Sequence, residues 1–192
     1  MKEYGIGSSL LTYDIIEDIL SCHARLFLTD EAREKITRCR EYLDRKMEDT
    51  RHPVYGVTTG FGSLCNRTIS AEDLSTLQEN LVKSHSCSVG TEVSKTVVRL
   101  MLLLKAHALS MGFSGVQVET VERILDMFNE DMLPVVYDRG SLGASGDLAP
   151  LANLFLPLIG EGEVNWKGRR QSAREAMEAM GWKTIQLKSK EG

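Results

Sequence analysis

Arg139-Gly140-Ser141-Leu142-Gly143-Ala144-Ser145-Gly146-Asp147-Leu148-Ala149-Pro150-Leu151 is the stretch on which the reading of this chain turns. Gly143 and Gly146 can take backbone conformations denied to other residues, so the chain is free to bend sharply here. Asp147 is suited to cap a helix and Pro150 to sit in its first turn, which places the loop at the helix's positive end. Three readings of the residues compete. The plainest is a loop capped by Asp147. An anion nest for phosphate would be expected to carry G-K-[ST] or G-x-G-x-x-G, and neither is present. A hydrolase nucleophile at Ser145 would sit in G-x-S-x-G after a strand, but the pattern is G-A-S-G in a helical context.

Working outward, helical signals dominate. From Thr29 to about Glu48, apolar residues at Ala32, Ile36, Cys39, Leu43 and Met47 build one face, and the rest is charged. A second helix is expected from Ser70, where Ser70-x-x-Asp73 resembles a capping box, with Leu74, Leu77, Leu81 and His85 in one stripe. Gly90 is read as its stop. A third runs from about Thr91 to Met111, apolar around much of its circumference, with Gly112 as C-cap. A fourth opens at Ser114 and presents Val118, Val121, Leu125 and Phe128. Leu148 to Ile159 reads as a helix that Pro157 kinks. Gly160 to Arg169 is turn-rich, and Ser172 to Met180 is a short helix. Low aromatic content and abundant Leu, Met, Ala, Glu and Lys agree with a mainly α fold.

The composition also bounds the function. Hydrophobic residues make up 42% of the 192 and charged residues 26%, the mix of a water-soluble globular domain or one segment of a larger one. A formal net charge of -4 gives no reason to expect nucleic acid or an anionic membrane as partner. Cys22, Cys39, Cys65 and Cys87 form no C-x-x-C pair, which argues against a zinc site and fits reduced cytoplasmic thiols. The first residues lack the basic and apolar regions of a secretory signal, and no apolar run is long enough to span a bilayer. Several helices carry more apolar surface than so few partners readily cover, so the chain reads as a fragment of something larger rather than a small domain whose end at Lys188-Ser189-Lys190-Glu191-Gly192 frays.

Gly140 to Leu151 resembles, over twelve contiguous residues, the signature of the aromatic amino acid ammonia-lyase and aminomutase family. The resemblance implies that Ala144-Ser145-Gly146 cyclises to a methylidene-imidazolone. The Gly146 amide nitrogen bonds to the Ala144 carbonyl carbon, and Ser145 loses its hydroxyl to become a dehydroalanine. The residue types suit that chemistry: glycine hinders ring closure least, serine supplies a leaving hydroxyl, and a strained loop supplies proximity. Asp147 and Leu148 are implied to support the loop. No metal and no external cofactor are implied.

Val54-Tyr55-Gly56-Val57-Thr58-Thr59-Gly60-Phe61-Gly62 is similar to a second family loop, with Thr58 where histidine-specific members often carry Asn. There Tyr55 is implied to be the base that takes the substrate β-proton, and Gly62 to lie against the substrate. Helix N-termini or a positive group would help a phenol shed its proton. Leu77-Gln78-Glu79-Asn80-Leu81-Val82-Lys83-Ser84-His85 resembles a third element, whose last position meets the substrate side chain. Alone, His85 would read as a satisfied core residue. Within the resemblance its Ser-His form is that of histidine-specific members, and a polar ring is what an imidazole substrate needs.

Carried over, the resemblance implies the N-terminal part of a large helical-bundle lyase with glycine-rich active-site loops. Residues 1–192 form one segment, and the C-terminal helical bundle is absent. The implied reaction is elimination of ammonia from L-histidine to give trans-urocanate, in a cytoplasmic homotetramer whose subunits share active sites, so the segment alone is expected to be inactive. The alternatives are tyrosine or phenylalanine ammonia-lyase or aminomutase chemistry, or a non-catalytic truncated helical module.

Overall fold

The computed structural model describes residues 2–48, 54–59, 69, 73–140, 142–144 and 146–192. Gly62 and Ser145, and the first residue of the expected capping box, Ser70, lie outside them. Strand β1 (Glu3–Ile6) pairs in parallel with β2 (Arg25–Leu28), and α1 (Tyr13–Ser21) makes the return crossing that a parallel pair requires. Helix α2 (Asp30–Glu48) follows, Thr29 Oγ1 accepting from the Ala32 amide at 3.2 Å to cap it.

Helix α3 (Leu74–His85) leads to β3 (Val89–Glu92), α4 (Lys95–Ser110) and α5 (Val118–Asn129). Short strands β4 (Leu133–Pro134), β5 (Tyr137–Arg139), β6 (Leu142–Gly143) and β7 (Gly146–Asp147) precede α6 (Ala149–Phe155). A 3-10 turn (Leu156–Ile159), β8 (Glu163–Trp166), β9 (Arg169–Ser172) and α7 (Ala173–Met180) complete the described elements. Mainly α is therefore correct, with small sheets at the margins: β3–β5, β4–β8–β9 and β6–β7 are all antiparallel.

The core forms where α4 meets α5. Leu102, Leu103, Val121, Ile124 and Phe128 are all buried there, each such side chain contributing roughly 1.5–3 kcal/mol relative to exposure. The face expected of the fourth helix is thus the one buried, although the helix starts at Val118 rather than Ser114. Gly112 closes α4 at φ +75, and a Cβ there would lie 2.8 Å from the Lys35 backbone, so glycine lets α4 end directly against α2. On the other side of α5, the Asn129 amide side chain accepts from Leu26 N and donates to Leu26 O, both at 2.8 Å, and acts as a further strand on β2.

Several boundaries differ from expectation. Gly90 does not stop the second helix, which ends at His85; it sits in β3 at φ +101. Residues 91 and 92 belong to that strand, so α4 waits for Ser94, whose hydroxyl accepts from Val97 N. Asp147 does not cap α6: Leu148 holds the N-cap position without a side-chain bond, while Asp147 lies in β7. Pro150 does occupy the first turn, and the 3-10 turn begins at the expected Pro157 kink. The turn-rich Gly160–Arg169 region is a hairpin. Lys167 and Gly168 both have positive φ, as a two-residue type I′ turn demands.

Candidate active-site cleft

A cleft of about 940 Å³ opens where α3, α4 and α6 approach the Tyr55 loop and the Leu187–Gly192 segment. Tyr55, His85 and Leu148, from three separate stretches of sequence, all line it. Its walls are mostly aliphatic, with Lys105 and Lys190 adding positive charge. Apolar groups remain open at its rim: Phe113 is 88% exposed, and Leu148 and Leu151 about two-fifths, the uncovered apolar surface that the helix patterns suggested.

Tyr55 stands on a compact turn. The amides of Val57 and Thr58 both donate to Val54 O at 3.0 Å. Thr58 Oγ1 accepts from Val54 N, Thr59 Oγ1 accepts from Gly56 N, and Gly56 takes φ +65. Val57, Thr58 and Thr59 are buried while Tyr55 is exposed. The two threonines therefore brace the loop from inside, satisfying backbone donors that the turn leaves over.

His85 ends α3. A carbonyl oxygen can only accept, so the 2.8 Å contact from His85 Nδ1 to Leu81 O makes Nδ1 the protonated nitrogen. The neutral ring then keeps Nε2 as an acceptor. Ser84 Oγ lies 3.1 Å from the same Nδ1 and donates to the same carbonyl, which holds the ring plane from a second side. The stripe expected along α3 is only half-buried because Leu81 and His85 face the cleft; the fully covered face carries Gln78 and Val82.

Ala144, Gly146 and Asp147 lie one to four residues before Leu148 in the β6–β7 hairpin, where Gly143 pairs with Gly146 across a two-residue turn. They do not line the cleft themselves. Ala144 is exposed, and Gly146 has φ +89. Among the described residues a Cβ built on Gly143 or Gly146 meets nothing within 4 Å, whereas one on Gly140 would fall 2.2 Å from Asp147 Oδ1. Asp147 thus closes the base of the hairpin.

The Leu187–Gly192 segment belongs to the site, although sequence reasoning assigned its residues no role there. Ser189 is 2% exposed, and its hydroxyl donates to Val57 O at 2.8 Å. The Glu191 carboxylate accepts from Gln117 N, Gln117 Nε2, Thr120 Oγ1 and Lys188 N, all within 2.8 Å. Gln117 is the N-cap of α5 and makes no cap bond with its own side chain, so Glu191 supplies negative charge at that helix end from elsewhere. Gly192 N donates to Gln78 Oε1 at 2.8 Å. Buried Arg40 reaches Ser189 O at 2.8 Å and Gly115 O at 2.7 Å through Nη1, and Asp44 at 2.6 Å through Nη2.

Residues 11–192 match the family model described as aromatic amino acid lyase. The chain belongs to that family. It is 46% identical, over its whole length, to the histidine ammonia-lyase of Caldanaerobacter subterraneus subsp. tengcongensis, of which it spans 38%. Among solved structures it superposes on histidine ammonia-lyase from Trypanosoma cruzi with a TM-score of 0.87 and 32% identity, covering 100% of this chain and 36% of that one. The ergothioneine-degrading ergothionase from Treponema denticola, solved with desmethyl-ergothioneine sulfonic acid, gives 0.92 at 26% identity, covering 100% and 38%. The fold is thus that of the N-terminal part of these longer chains. Among the described residues no group of histidines, cysteines and carboxylates gathers as a metal site, and no helix is long and apolar enough to cross a membrane.

Proposed function

We propose that residues 1–192 act as one N-terminal segment of a histidine ammonia-lyase, which eliminates ammonia from L-histidine to give trans-urocanate. The observation that carries the reading is His85 on the cleft wall with Nδ1 committed to Leu81 O, because its Nε2 then accepts from the N–H of an imidazole substrate. Names borne by relatives at 46% and 32% identity support the same substrate. Lys105 and Lys190 give the cleft positive charge suited to an amino acid carboxylate.

The self-derived methylidene-imidazolone fits the hairpin tip. Gly146 sits in the left-handed region, pairs with Gly143, and none of the described residues crowds either glycine. Ala144, Ser145 and Gly146 would form the group, with Asp147 and Leu148 holding the loop against α6. Once formed, it supplies an electrophilic carbon that makes departure of the amino group easier. The chain's own side chains do the rest. His85 orients the ring, Tyr55 takes the β-proton, and Gly62 would lie against the substrate. No metal or external cofactor enters. Assembly as a homotetramer and a cytoplasmic location belong to the same proposal.

Chromatographic detection of the arylacrylate and β-amino acid products from histidine, tyrosine and phenylalanine tests it. Product from histidine alone is expected. Ser145→Ala should abolish turnover, and Tyr55→Phe should lower it by about 10²-fold or more, the scale of a lost general base. The tryptic peptide Gly140–Lys167 should be lighter than its sequence by two waters. Near-normal turnover in either variant would sink the assigned roles.

A further inference from the structure

We infer that the Leu187–Gly192 segment is a positioning strap that sets Tyr55 relative to His85, with Ser189 and Arg40 as its working residues. The inference rests on the histidine-lyase reading for its kinetic test but not for its geometry. The Tyr55 loop is internally braced by Val54, Thr58 and Thr59, and from outside the turn Ile69 N donates to Thr58 O at 2.9 Å. Ser189 holds it through Val57 O. Ser189 is in turn fixed by Arg40, whose buried guanidinium joins its carbonyl to Gly115 O.

Three residues further on, Gly192 N is bound to Gln78 on α3, and a Cβ at Gly192 would lie 2.6 Å from Gln78 O. Gln78 is 1% exposed and stands seven residues, two helical turns, before His85 on α3. One short segment therefore grips both the loop that carries Tyr55 and the helix that carries His85. Glu191 fixes its middle to the first turn of α5. The turn between the two grips is tight. Glu191 N donates to Lys188 O at 3.1 Å, and Lys190 takes φ +76, at the turn position that favours glycine. Neither Ser189 nor Arg40 lines the cleft. They act through Tyr55, and no contact with substrate is implied.

The test is turnover of L-histidine and of β,β-dideuterated L-histidine by the complete enzyme carrying Ser189→Ala or Ser189→Thr. Misplacing a base by an ångström or less costs one to two orders of magnitude in rate. Ser189→Ala should therefore lower kcat about tenfold and raise the deuterium isotope effect on kcat as β-proton removal becomes limiting. KM for histidine should stay within about twofold, and Ser189→Thr, which keeps the donor, should restore kcat. A kcat loss with an unchanged isotope effect, or one that merely tracks the folded fraction, overturns the strap. If the unaltered enzyme makes no urocanate, the functional proposal fails instead. The strap is then read on the complete protein labelled with 3-fluorotyrosine: the Tyr55 resonance, assigned by Tyr55→Phe, should shift and broaden in Ser189→Ala, and an unmoved resonance overturns it.

Discussion

The two glycine-rich loops at this site are built on opposite plans. The Tyr55 loop is short of space: Val57, Thr58 and Thr59 are buried, its amides are satisfied within the turn, and Ser189 binds it from behind. The β6–β7 hairpin has more room: Ala144 is exposed, and added atoms at Gly143 or Gly146 meet none of the described residues. A side chain that must hold a proton acceptor in place gains from the first plan. A backbone that must close a ring on itself gains from the second, because the closing atoms need room to approach. Glycine serves both, for turning at Gly56 and for left-handed freedom at Gly146.

The sharpest way to break the contrast is Arg40→Leu. It strips a buried donor from Gly115 O and Ser189 O and leaves Asp44 without its cation, and should lower stability by about 3 kcal/mol in denaturant unfolding. The same experiment on the hairpin should show far less. Gly146→Ala costs about 1 kcal/mol through its positive φ alone, and Gly143→Ala, with open space and no such φ, stays within about 0.5 kcal/mol. If Gly143→Ala proves as costly as Gly146→Ala, the hairpin tip is packed and the contrast fails. Smallest is Lys190→Gly in the strap turn, which should raise the unfolding midpoint slightly, by about 0.5 kcal/mol, as relieved backbone strain outweighs added chain entropy.

Long periodic helices were legible because one buried face repeats every three to four residues. Val121, Leu125 and Phe128 are where the spacing put them, and so are Ala32 and Ile36. The small sheets were not. Strands of two to four residues carry too little alternation to see, and the β8–β9 turn uses Lys167-Gly168 rather than the more recognisable Asn-Gly. Ser70-x-x-Asp73 drew the start of α3 too early, Asp73 instead standing at its N-cap. Within the site, Tyr55, His85 and Leu148 were named from motifs, and the fold brings them to one cleft. Arg40 was hidden on a helix read as charged and solvated, yet it is buried. Lys188-Ser189-Lys190-Glu191-Gly192 carried no sign of local order, because its order comes from hydrogen bonds to distant partners, which no local pattern records.

Those partners are far away along the chain: Arg40 and Ser189 are separated by 149 residues, Ser189 and Val57 by 132, and Gly192 and Gln78 by 114. During translation the α4–α5 core can assemble from neighbours as they emerge, but the cleft waits for residues 189 to 192 to leave the ribosome. A nascent chain halted before Ser189 would lack the bonds that tie its Tyr55 loop to Arg40 and its His85 helix to residue 192. The arrangement acts as a timer, in which residues 189 to 192, made after the parts they join, draw the Tyr55 loop and the His85 helix together.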